Sequence, residues 1–110
     1  MEVCYTLEFE KQYKKLSKFS KFKVKSTIKR IKHKFGKIGK PLAGLKFFRE
    51  VRINEKRLYF LIYNTNLIIL IVAISNKKTQ QATINKILNE LKNYGITFTE
   101  KVYEEVPEYC

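Results

Sequence analysis

The chain has 110 residues, 45% of them hydrophobic, and sets 23 lysines and arginines against 10 acidic residues for a formal net charge of +13. That length fits one domain over residues 1–110, able to bury roughly two-thirds of its unfolded surface without metal or disulfide support; four glycines and two prolines exclude low-complexity chains. An excess of positive charge this large opposes compaction, so it points to a polyanionic partner, nucleic acid first.

In chain order, Val3 to Phe9 alternates, with Tyr5, Leu7 and Phe9 on one face, and predicts a strand. From Glu10 the period changes: Tyr13, Leu16 and Phe19 fall at helical spacing. Ser20 reads as the N-cap of a second helix with the apolar stripe Val24, Ile28, Ile31 and Phe35, and Gly36 stands where a glycine ends a helix. The two helices form a hairpin rich in lysine. Gly36 to Gly44 reads as a loop. Three strands follow, Leu45–Ile53, Arg57–Tyr63 and Leu67–Ile74, joined by turns at Asn54–Lys56 and Asn64–Asn66. The third strand is apolar without alternation, which predicts cover on both faces and an interior place in the sheet. Ser75–Thr79 is a polar, basic loop, Thr83–Tyr94 a helix stopped by Gly95, and Ile96–Val102 a weak last strand. The expected class is therefore α+β: a strand, a helical hairpin, a three-stranded antiparallel meander and a C-terminal helix.

Charge is unevenly placed. Residues 1–44 hold thirteen cations against three glutamates, whereas residues 96–110 hold four glutamates and only Lys101, an acidic tail on a basic body. The apolar run Leu58–Ile74 is interrupted by Asn64, Thr65 and Asn66, and neither half reaches the ~20 residues of a spanning helix, so no membrane association is expected. Without a signal-peptide pattern the expected location is the cytoplasm, where Cys4 and Cys110, near opposite termini and able in principle to pair, are expected as free thiols.

Catalytic signatures are scarce. There is no Gly-rich phosphate loop and no metal-ligand spacing, and His33, the single histidine, lies among lysines. No metal or cofactor is expected. The informative residues lie on the strands. Arg52 and Arg57 flank a tight turn that can bring both to one sheet surface, and Lys77 and Lys78 leave the neighbouring strand. With Lys46 and Arg49, and with Tyr59 or Tyr63 nearby, they would form a cationic concavity that holds phosphates and offers aromatic faces to bases. Lys29 and Arg30 on the second helix extend the basic surface.

Pro41-Leu-Ala-Gly44-Leu45, Phe48-Arg-Glu-Val-Arg52-Ile and Arg57-Leu-Tyr-Phe-Leu-Ile-Tyr63 together resemble the RelE/ParE/HigB toxin superfamily. Ile71-Val-Ala-Ile-Ser-Asn-Lys77-Lys78-Thr79-Gln80 is similar to the last core strand and basic loop of its HigB-like branch. The resemblance spans about residues 3 to 92. It implies the toxin of a type II toxin–antitoxin pair, blocked by a cognate antitoxin, that cuts mRNA on the ribosome without a metal through attack of a 2′-hydroxyl on the adjacent phosphate. By position, Arg52 and Arg57 would grip that phosphate, and Lys77, Lys78 or Tyr63 would move protons, since arginine stays protonated. The family's C-terminal histidine or tyrosine is missing near Asn76 and Gln80–Gln81, and Glu50 fits a structural role. Two alternatives remain open: a ParE-like inhibitor of DNA gyrase, and an inactive member that only binds RNA or a protein.

Overall fold

Thr6 divides the first two elements. In the computed structural model, which describes residues 1–64, 67–98 and 102–104 (97, 98 and 102–104 by backbone alone), the first strand β1 is only Glu2–Tyr5. The Thr6 hydroxyl accepts from the Phe9 amide at 3.0 Å and donates to the Val72 carbonyl at 2.6 Å. It thereby caps helix α1, Leu7–Lys14, whose first turn carries Glu8 and Glu10. Capping and favourable dipole charge outweigh the alternation that predicted a strand through Phe9, and Leu7 points outward at 63% exposure.

Helix α2 is Lys18–His33, and its cap is Ser17, not Ser20: the Ser17 oxygen accepts from the Ser20 amide at 3.2 Å. Its end also differs in detail from expectation. Phe35 takes the left-handed conformation at φ 54°, and the Gly36 amide then bonds the Ile31 carbonyl at 2.8 Å, the pattern of a Schellman motif. Gly36 is required for room as well as for its φ of 77°, because a Cβ there would stand 2.7 Å from the Ile62 side chain.

The sheet contains a short strand inside the expected loop, β2 at Lys40–Leu42, then β3 Leu45–Ile53, β4 Lys56–Tyr63 and β5 Ile68–Asn76. Its order is β1-β5-β4-β3-β2, with β3, β4 and β5 antiparallel and β1 parallel to β5. β5 is interior, as its uninterrupted apolar run requires, and is buried from Ile68 to Ser75.

Helix α3 runs Gln80–Asn89, earlier than the expected Thr83, and passes into a 3-10 turn at Leu91–Tyr94 that Gly95 ends at φ 76°. The expected single last strand is two strands, β6 Ile96–Phe98 and β7 Val102–Glu104, paired antiparallel. α2 and α3 lie on opposite faces of the sheet. Gly36 at the end of α2 meets Ile62, whereas Tyr63, one residue on and so on the other pleat, bonds the Tyr94 carbonyl beyond α3.

Among the described residues no helix is long and apolar enough to cross a membrane. Cys4 corrects the expectation of free thiols: it is 4% exposed and disulfide-bonded. Cys110 and most of the acidic tail lie outside the described residues.

Candidate phosphate-binding site

The register of β3 and β4 places Arg52 directly opposite Arg57, and that of β4 and β5 places Arg57 opposite Ser75. One step along the same face stand Glu50, Tyr59 and Ala73. The turn between β3 and β4 is Asn54–Glu55, with Asn54 at φ 53°, a conformation asparagine tolerates. The sequence expectation of two arginines on one surface is met by direct pairing.

The two arginines live in different surroundings. Arg52 is exposed and donates from Nε to the Asn54 carbonyl at 3.2 Å. Arg57 is 7% exposed, with Nε 3.8 Å from Glu50 Oε1 and a hydrogen bond to the Glu55 carbonyl at 3.4 Å. Glu50 also accepts from Gln80 Nε2 at 2.8 Å. The first residue of α3 is thus tied through one carboxylate to the buried guanidinium. Tyr59 and Ser75 share a hydroxyl hydrogen bond of 2.8 Å beside this chain. Burial, with Glu50 adding to it, pushes the Tyr59 hydroxyl up to about 12, although the Ser75 bond and Arg57 pull the other way.

Lys77 and Lys78 are exposed in the turn after β5. That turn is fixed reciprocally. Asn76 Oδ1 accepts from the Thr79 amide and hydroxyl at 3.0 and 3.1 Å, and the Asn76 amide donates to Thr79 Oγ1 at 3.3 Å. Because Ser75 pairs with Arg57, both lysines leave the sheet next to the arginine pair. The arrangement offers one buried cation, one exposed guanidinium and two exposed ammonium groups, a set suited to an anion such as phosphate. Among the described residues no group of His, Cys, Asp or Glu is placed to hold a metal ion.

Other expected members lie elsewhere. Lys46 is exposed on β3, and Tyr63 closes β4; each is six residues, roughly 20 Å of strand, from Arg52 or Arg57. Tyr63 gives its hydroxyl proton to the Tyr94 carbonyl, so that expected proton carrier is outside the cluster. Tyr59 and Tyr63 are both 0% exposed, and their rings are core rather than open stacking faces. Arg49 turns its guanidinium to the chain, donating to the carbonyls of Ile38, Gly39 and Lys46 at 2.8, 3.0 and 3.3 Å. Lys29 and Arg30 are exposed on α2, across the sheet from the arginine pair. Gln80 and Ser75, which the spacing did not single out, complete the cluster.

No family model matches the sequence, and no curated protein matches it. Solved structures do. The crystal structure of isolated E. coli RelE toxin superposes with a TM-score of 0.62 over 78% of this chain and 97% of that one, at 11% identity. A chain of the intact E. coli RelBE toxin–antitoxin complex gives 0.61 over 68% of this chain and 94% of that one, at 10% identity. The fold is that of the RelE toxins. The Methanococcus jannaschii RelB–RelE complex agrees, at 0.58 over 73% and 96% with 12% identity. On this RelE-like frame the arginine pair occupies the meander that the sequence motifs had pointed to.

Proposed function

We propose that the chain is the toxin of a type II toxin–antitoxin pair, acting in the cytoplasm as a ribosome-dependent mRNA endoribonuclease and held inactive by a cognate antitoxin. The observation that carries this reading is the direct pairing of Arg52 with Arg57 beside Lys77 and Lys78 on a RelE fold. In the reaction the 2′-hydroxyl loses its proton and attacks the adjacent phosphorus. The bond to the 5′-oxygen breaks, that oxygen gains a proton, and a 2′,3′-cyclic phosphate remains. Arg52 and Arg57 stabilise the extra charge on the phosphoryl oxygens as it develops. Proton transfer falls to Lys77 and Lys78, because Tyr63 is remote and Tyr59 keeps its proton to about 12. The net charge of +13 suits docking on ribosomal RNA phosphates, with an affinity that falls steeply as salt rises. The RelBE complexes among the similar structures support an antitoxin as the partner.

Arg52→Ala tests the reading, since Arg52 is exposed and its loss spares the core. Primer extension on mRNA translated in vitro should show cuts within the reading frame for the wild type, reduced about a hundredfold or more in the variant. Undiminished cutting by a folded Arg52→Ala protein would refute the site. An intact message with the wild type would favour a second reading, RNA binding without cleavage, which the absence of histidine from the cluster supports; a DNA supercoiling assay would then check for gyrase inhibition.

A further inference from the structure

The turn that joins Arg52 and Arg57 has a second side. Arg52 and Arg57 hold the carbonyls of Asn54 and Glu55, while the same two residues line a cavity of about 170 Å3 with Lys56, Ile53 and, from α2, Ser20, Lys23 and Val24. Val24 at 0% and Ile53 at 9% exposure give it an apolar floor. Ser20, Asn54 and Glu55 bring hydrogen-bonding groups to the lining, and its charge is positive on balance, with Lys23 and Lys56 against the single carboxylate of Glu55. Lys23 is steadied there by Phe19, whose ring centroid lies 5.4 Å from Nζ and which is itself 64% exposed. No acidic residue occurs in the 16 residues of α2.

These features select among occupants. The volume is below the roughly 300–1,000 Å3 of pockets that enclose drug-sized ligands, so it admits one ring and not a folded segment. An apolar floor with polar groups in the lining suits a flat ring that forms hydrogen bonds only at its edge. Cations in the lining suit a ring carried on an anionic chain. A base of single-stranded RNA has all of these properties.

We infer that this cavity is a nucleobase subsite, which lodges a base neighbouring the phosphate gripped by Arg52 and Arg57 across the shared turn. The inference rests on the reading of the site as one that takes RNA. It adds a contact to base rather than backbone, and so a source of sequence preference that the arginine pair lacks.

The test compares two fluorescent single-stranded oligoribonucleotides of equal length and phosphate count, one intact and one abasic throughout, by anisotropy on the full-length protein. Equal phosphate number removes the electrostatic difference between them. The wild type should prefer the intact strand about tenfold, the size of one base's stacking. Ser20→Leu, which fills the cavity, should bind both strands alike, and Ser20→Ala should keep the preference. Both variants retain the backbone amide of residue 20 that Ser17 caps, and matched melting curves confirm folding. Equal binding of the two strands by the wild type, a preference that survives Ser20→Leu, or no binding of either strand overturns the subsite. A base preference without any mRNA cleavage would leave the subsite standing and sink the endoribonuclease reading; cleavage without a base preference would do the reverse.

Discussion

Replacing Glu50 by glutamine separates what the buried ion pair does for stability from what it does for binding. Arg57 is 7% exposed and its Nε lies 3.8 Å from Glu50 Oε1. At that distance two unit charges interact by about 4 kcal/mol with an effective dielectric of about 20. Removing one partner of a buried pair costs about 3–5 kcal/mol, because the remaining charge stays desolvated. Glutamine keeps an oxygen for the Gln80 amide, so the 2.8 Å bond survives and the charge alone is removed. We expect a loss near the lower figure, about 3 kcal/mol, since Arg57 retains the Glu55 carbonyl. For a domain of this size that lowers Tm by about 12 °C or more. Urea unfolding followed by circular dichroism should show a lower midpoint with an unchanged m value. The same variant should bind the intact oligoribonucleotide more tightly, by about tenfold, because Arg57 then lacks a competing carboxylate. A stability change below about 0.5 kcal/mol would refute the premise that Arg57 is a desolvated cation. Tighter binding without destabilisation, or destabilisation without tighter binding, would show that only half of the argument holds.

Arg49→Ala should act on the fold. It removes three hydrogen bonds from a charged donor to the carbonyls of Ile38, Gly39 and Lys46, at a cost of about 2–3 kcal/mol in urea unfolding, and should change oligonucleotide affinity no more than Lys46→Ala does. Tyr59 gives an alkaline signature. Its folded pKa of about 12 lies above the 10.0 of an ordinary tyrosine, so between those values the folded state binds more protons than the unfolded one. Its contribution is therefore complete below pH 10 and is lost as pH rises towards 12, by nearly 3 kcal/mol. Urea midpoints at about pH 9 and about pH 11.5 should diverge less in Tyr59→Phe; the slope that remains includes Tyr5, whose hydroxyl is also raised by burial and by Tyr13.

The sequence carried the sheet well and the caps poorly, for physical reasons. An uninterrupted apolar run such as Ile68–Ile74 has one good solution, an interior strand, and the turn residues around it fix the meander. The start of α1 was harder. Tyr5, Leu7 and Phe9 alternate as a strand would, and only the long-range bond from Thr6 to Val72, 66 residues away, shows that Thr6 is a cap. The choice between Ser17 and Ser20 is of the same kind, since either hydroxyl can cap and packing decides. In the site, pairing across a short turn made Arg52 and Arg57 legible, whereas charge alone could not tell Arg49 from them. Arg49 sits on the opposite pleat and meets carbonyls of the preceding loop; Arg52 and Arg57 share a face. Gln80 was hidden because its partner is 30 residues distant, and Tyr63 misled because a residue in the right strand stood at the wrong end of it.

The unequal burial of the arginine pair bears on how such a site would work. A guanidinium already stripped of water and aimed by Glu50 needs little reorganisation when charge develops on a phosphate, which is the condition for strong electrostatic stabilisation. An exposed guanidinium such as Arg52 costs less to maintain and reaches further, so it suits first capture of the strand. Glu50 prevents Arg57 from being an uncompensated buried charge when the site is empty, and it must yield part of that contact when an anion arrives. Gln80 sets how far the carboxylate can move, because it holds the same Oε1 atom from the start of α3. The seating of α3 on the sheet is therefore coupled to the setting of Arg57 through a single oxygen, and any ligand that shifts the first turn of α3 would alter Arg57, and with it the proposed phosphate grip, without touching it.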